Sequence, residues 1–118
     1  MKIGIVGPCA AGKTTLEHKL APLGYDAHAI VQEHSQVQTM WQQITMPDIL
    51  VYLDATLATI CARLNVNWEQ GYIDEQNRRL THARAHADFA LVTDDLSREQ
   101  VATRVIEFLD SVSVHGRV

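Results

Sequence analysis

Residues 3–15 read Ile3-Gly4-Ile5-Val6-Gly7-Pro8-Cys9-Ala10-Ala11-Gly12-Lys13-Thr14-Thr15. A short apolar run stops at a glycine, and a second glycine, a lysine and a threonine follow after four residues. The run has the length of a buried strand, and Leu16 and Leu20, four apart, start a helix at about Lys13. A strand, a turn bounded by Gly7 and Gly12, and a helix headed by Lys13 and Thr14 match the spacing G-x-x-x-x-G-K-[ST]. Gly7 and Gly12 allow backbone angles and close approach that a side chain obstructs. Successive N–H groups of Cys9, Ala10, Ala11 and Gly12 can then turn inward as an anion nest. The helix that opens at Lys13-Thr14-Thr15 adds its positive end. Pro8 removes one donor early in the turn. Lys13 can reach the terminal phosphates of a triphosphate, and the Thr14 hydroxyl can face Mg²⁺.

Working outward, Tyr25–Val31 reads as a second strand, interrupted by His28, after a stop at Gly24. Val37, Met40, Trp41 and Ile44 recur at helical spacing up to Pro47. Ile49–Leu53 is an apolar strand ending in Asp54. Leu57, Ile60, Cys61 and Leu64 mark a helix. Residues 65–74 read as a loop, and a polar helix is expected from about Asp74 to His86. Phe89–Val92 is the last strand. Ser97 with Gln100 forms a capping-box pattern opening a final helix, whose core side carries Val101, Val105, Phe108 and Leu109. The tail after Asp110 is expected to fray. Near-continuous apolar strands alternating with helices predict an α/β fold, a three-layer sandwich around a small, mostly parallel sheet of about four strands. One domain covers residues 1–118.

In a parallel sheet the carboxyl ends of the strands share one edge, where ligands bind. That edge gathers the 7–14 turn, Gln32-Glu33-His34-Ser35, Asp54 and Asp94-Asp95. A carboxylate closing an apolar strand suits a magnesium site, so Asp54 pairs with Thr14 as the metal candidate, or caps the next helix. Glu33 is a candidate general base, or a helix-start acid. His34 reads as a hydrogen-bonded edge histidine, and Ser35 as a cap. Arg63, Arg78, Arg79 and Arg84 surround the irregular stretch. Arg79 and Arg63 are the candidates for stabilising charge on a transferring phosphoryl group from a segment that closes over it, against a plain solvated face. His82 and His86 share a helix face and read as a solvated pair. Trp41, Trp68 and Tyr72 read as packing residues.

Hydrophobic residues make up 47% of the chain, which supports a real core. A net charge of −4 argues against a nucleic-acid partner. No apolar run reaches membrane-spanning length and no signal-peptide h-region precedes the first strand, so the expectation is a cytoplasmic protein without a membrane partner. Cys9 and Cys61 lack metal-ligand spacing, and Cys61 sits on an apolar stripe as a small hydrophobe.

Together, Gly7–Thr14, the stretch Pro47-Asp48-Ile49-Leu50-Val51-Tyr52-Leu53-Asp54, Arg63, and the run from Phe89 through Ser97-Arg98-Glu99-Gln100-Val101 resemble the nucleoside and nucleotide kinases of the P-loop superfamily. The likeness covers most of the chain, and its most specific part is Gly7–Thr14. It implies a P-loop NTPase fold with ATP and Mg²⁺ as cofactors. Glu33 then stands where the family places an acid after an early strand, and Arg63 where its lid begins. The expected function is transfer of the γ-phosphate of Mg-ATP to a small acceptor. The alternative is a nucleotide-dependent switch or slow ATPase acting through a protein partner. Only residues 15–46 separate the phosphate turn from the Pro47-Asp48 strand, where the family inserts a substrate segment. A reduced acceptor pocket follows, or one completed by a second chain in a homodimer.

Overall fold

The computed structural model describes residues 1–115. Nine elements follow in order: β1 (Lys2–Val6), α1 (Lys13–Leu20), β2 (Asp26–Ala29), β3 (Ile49–Asp54), α2 (Leu57–Leu64), α3 (Gln70–Arg79), α4 (Thr81–His86), β4 (Phe89–Val92) and α5 (Arg98–His115). The sheet has the order β2-β1-β3-β4, and every pairing is parallel. The chain steps from β1 to β2 on one side and returns across β1 to β3 on the other, which places β1 at the topological switch point.

Side-chain alternation along the strands divides the interior in two. Ile3, Ile5, Ile49, Val51 and Leu53 face α1, α2 and α5, where they meet Leu16, Leu20, Ile60, Val105 and Leu109. Val6, Leu50 and Tyr52 face the other way, against Trp41, Leu80 and Ala83. Helices therefore cover both faces of a small parallel sheet, as the apolar strands predict.

Three local expectations change. The helical spacing from Val37 to Ile44 yields only a π-helical turn, Trp41–Thr45. Val37 and Ile44 are exposed, so the stripe buries Trp41 without a continuous apolar face to sustain a longer helix. The polar helix starts earlier, at Gln70, and divides at Leu80, where φ −96° and ψ −1° stray from regular α-helical values. No glycine or proline marks the break; the turn lets Leu80 and Ala83 pack under Tyr52. The final helix runs on to His115 instead of fraying after Asp110. Its start is the expected capping box: Ser97 N–H donates to Gln100 Oε1 at 2.8 Å and Gln100 N–H to Ser97 Oγ at 3.0 Å.

Polar clasps hold the loops. Thr56 caps α2, and its N–H and hydroxyl donate to Asp94 at 3.0 and 2.8 Å. Burial opposes ionisation of Asp94, but these bonds outweigh it and hold the carboxyl below its ordinary range. On α3, the hydrogen bond from Arg78 is the main cause holding Glu75 at about 2 instead of 4.5, with the charges of Arg78 and Arg79 assisting. A carboxyl depressed in the folded state contributes stability above its unfolded value and loses it as pH falls. Acidification from 4.5 towards about 2 should therefore weaken the end of α3. An NMR titration of the Glu75 side chain should show a midpoint near 2, and a midpoint at 4.5 would refute the clasp.

Candidate functional site

A cleft of about 840 Å³ opens at the carboxyl edge of the sheet. Its floor is the run Cys9–Leu16, and its walls come from Val31 and Glu33 after β2, Arg63 at the end of α2, and Thr93 and Leu96–Arg98 after β4. The gathering of strand ends at one edge is what the topology predicts.

The 7–12 loop is built by close backbone contact. Gly7, at φ 154°, presses against β3 so tightly that a Cβ would lie 1.9 Å from the Leu53 carbonyl oxygen. Gly12 caps α1 in the left-handed region, at φ 109° and ψ 17°. Ala10 also adopts a left-handed conformation, at φ 59°. Gln76 clasps the loop from α3: its Oε1 accepts the Cys9 N–H at 3.0 Å and its Nε2 donates to Cys9 Sγ at 3.2 Å. Among the described residues, the N–H groups of Ala10, Gly12, Lys13, Thr14 and Thr15 have no protein acceptor. Five free donors around the head of a helix suit an anion. Gly7 and Pro8 sit behind the cleft, buried, and contribute carbonyl groups. Thr14 is exposed to the cleft, and Thr15 lines it half-buried.

Lys13 and Glu33 form the buried centre. Lys13 is 8% exposed and Glu33 3%. Lys13 Nζ donates to Glu33 Oε2 at 2.7 Å, to the Gly7 carbonyl at 2.7 Å and to the Pro8 carbonyl at 3.1 Å. Glu33 Oε1 is buried with no partner, and Glu33 is the one carboxylate lining the cleft. The turn that carries it is fixed by Gln32, fully buried, which donates to the Val37 and Arg79 carbonyls and accepts the Trp41 N–H.

Asp54, expected opposite Thr14 across a magnesium ion, does not line the cleft. Asp54 has the parity of Leu50 and Tyr52, so the strand turns it away from the α1 face. It lies in a separate recess, where Oδ2 accepts from Arg84 at 2.9 Å and Oδ1 from the Ala55 N–H. Arg84 also covers the Tyr52 ring and donates to its hydroxyl. Burial, the largest influence, raises the Tyr52 hydroxyl above its ordinary range against the lowering effect of Arg84.

Nor do the four arginines gather in one group. Arg84 belongs to the Asp54 recess. Arg78 and Arg79 bind Glu75, and Arg79 Nη1 also donates to the Glu33 carbonyl at 3.4 Å, bracing the turn from behind. Arg63 does line the cleft, but as a strut: it donates to the Ala10 carbonyl at 2.7 Å and to the hydroxyl and carbonyl of Thr93. Thr93, buried, in turn donates to the Ala11 carbonyl. We expect Arg63→Ala to lower stability by about 1–2 kcal/mol, as a loss of charged hydrogen bonds. Urea denaturation checks this, and an unchanged midpoint would show that the strut carries no load.

His82 is not simply solvated, since its Nδ1 accepts the Trp41 Nε1–H at 3.1 Å and its ring stacks on His86. Cys61 is half-buried and weakly bonded to the Trp68 carbonyl. Sequence reasoning placed Gln32 at this edge without its bracing role, and it missed Gln76 and Thr93. Each is an uncharged polar side chain acting on backbone far away in the chain, and no local pattern announces it. No helix among the described residues is long and apolar enough to cross a membrane.

No protein-family model and no curated protein matches the chain. The functional reading therefore stands on the residues and their geometry.

Proposed function

We propose that this chain is a P-loop protein that binds Mg-ATP and transfers its γ-phosphate to a small acceptor bearing a hydroxyl or phosphate group. The observation that carries the reading is convergence. Among the described residues, five unpartnered N–H groups of the loop and helix head, the Lys13 ammonium and the one cleft carboxylate, Glu33, all meet in one cleft.

The donor set fits a polyphosphate. The free N–H groups and the head of α1 would cradle the phosphate oxygens, and Lys13 would exchange its carbonyl and Glu33 contacts for the terminal phosphates. Thr14 would hold Mg²⁺ through its hydroxyl, the remaining positions going to phosphate and water. Bound there, the ion supplies charge neutralisation of the phosphates. Asp54, turned away and partnered by Arg84, has no part in this arrangement. Glu33 accepts the acceptor's hydroxyl proton as the acceptor oxygen bonds to the γ-phosphorus and the bridge to the β-phosphate breaks, leaving ADP. The cleft end of α2 gives Arg63 a wall position, which fixes the loop, and Arg79 positions Glu33 from behind.

A screen of nucleosides, nucleotides and small alcohols tests the reading. Acceptor-dependent ADP release should appear and should fall by about 100-fold or more in Glu33→Gln, the range of general-base loss. ADP release that no acceptor stimulates would sink the kinase. A nucleotide-dependent change of size by light scattering in that case would leave a switch whose partner is a second copy of the chain. What favours this second reading is exposed Val31, Val37, Ile44 and Met46, all in the segment that connects β2 to β3.

A further inference from the structure

We propose that Cys9, Glu33 and His34 form a binding site for a thiophilic divalent cation of the Zn²⁺ class, at the mouth of the 7–12 loop. One ligand atom from each of the three side chains lies within 4.8 Å of the others. Cys9 Sγ and His34 Nε2 are 3.6 Å apart. Zinc bonds of about 2.3 Å to sulfur and about 2.0–2.1 Å to nitrogen, at a tetrahedral angle, put those two atoms about 3.6 Å apart. The Glu33 carboxylate stands beside them, its Lys13-bound Oε2 lying 3.9 Å from His34 Nε2.

A second, independent observation points to a ligand. Glu33 is 3% exposed, and its Oε1 has no partner. Oε2 is committed to Lys13, so Oε1 is the oxygen left for a cation. A buried carboxylate oxygen without a donor is costly, and a metal ion relieves that cost. The sulfur is prepared as well. Gln76 Nε2 donates to Cys9 Sγ at 3.2 Å, and Gln76 Oε1 holds the Cys9 N–H, so the residue is oriented from two sides. Cys9 is half-buried and the His34 side chain is half-exposed, so an ion and a fourth ligand, water, can enter from solvent.

The donor set selects the metal. Thiolate and imidazole favour Zn²⁺ over Mg²⁺, which takes oxygen ligands. On binding, the Cys9 thiol gives its proton to solvent and the S–metal bond forms, with no change of oxidation state. The ammonium of Lys13 opposes the incoming charge, and the thiolate offsets it. Occupancy would tie the loop to the turn after β2. Because it would engage Glu33, metal binding and phosphoryl transfer should exclude one another; that consequence alone rests on the proposed kinase reading.

The test uses the nucleotide-free, reduced full chain titrated with Co²⁺, with Zn²⁺ as competitor. One Co²⁺ per chain should give a thiolate-to-cobalt charge-transfer band that Zn²⁺ abolishes. Cys9→Ser should lose the band, His34→Ala should weaken binding by about tenfold or more, and Cys61→Ser should leave both unchanged. Each variant's circular dichroism and melting in chelator establish that it is folded. X-ray absorption on the zinc-loaded parent, which needs no variant, should show one sulfur in the first coordination shell. A shell of oxygen and nitrogen only, or a cobalt band that survives Cys9→Ser, overturns the proposal. In that event the Cys9–His34 contact is a thiol–imidazole hydrogen bond and nothing more. Because no nucleotide is present, these outcomes are independent of the kinase screen.

Discussion

Lys13→Ala should abolish Mg-ATP binding and at the same time destabilise the free protein by about 3–5 kcal/mol, the cost of leaving one member of a buried ion pair alone. The two losses have different causes. Binding fails because the ammonium that would meet the terminal phosphates is gone. Stability fails because Glu33, 3% exposed, then has neither oxygen partnered. Adding Glu33→Gln should therefore restore much of the stability and none of the binding, since a neutral amide is far cheaper to bury than a lone carboxylate. A double-mutant cycle in urea, with calorimetry for the nucleotide, separates the effects. A double variant no more stable than Lys13→Ala would mean that the pair is not the source of the loss. Retained nucleotide affinity in Lys13→Ala would remove the phosphate reading itself.

The second large effect concerns no side chain at all. Gly7→Ala would place a methyl group 1.9 Å from the Leu53 carbonyl oxygen, at a φ of 154°. The obstacle is β3 backbone, which cannot rotate aside as a flexible side chain can. Either β3 shifts from β1 or the loop opens. We expect a loss of about 3 kcal/mol or more, combining overpacking with backbone strain. Thermal unfolding would report it, and a melting temperature within a degree or two of the parent would refute the close approach. Gly12→Ala is the instructive contrast: the nearest atom is the Leu53 side chain at 4.0 Å, so its cost comes from φ 109° alone. It should be the milder substitution for stability.

How much of this was legible beforehand follows from where the information lies in the chain. β1, its glycine loop and α1 are contiguous and periodic, and the structure places them as read. The same holds for β3, for β4 and for the capping box at Ser97. The facing of Asp54 was legible too, because counting alternate residues from Leu50 and Tyr52 puts it on the face opposite α1. The helix break at Leu80 was not legible: it carries no glycine or proline and arises from packing beneath Tyr52. The arginines were legible as charges but not as contacts. Whether Arg63 is a strut or a mobile finger depends on the Ala10 and Thr93 carbonyls, which only the fold brings within reach.

Helix α3 ends up governing a cleft that none of its own residues lines. Through Gln76 it holds Cys9, 67 positions earlier in the chain, and through the Arg79 carbonyl and side chain it holds the turn bearing Glu33. It is a spacer bar between cradle and acid. Transplanting residues 1–20 onto another sheet would carry the cradle but not the distance at which the acid stands from it. Conversely, the length and register of α3 can be altered by engineering to retune that distance without touching any residue that meets the ligand. Selectivity in this small chain would then be adjusted like a caliper, from the far side of the jaws.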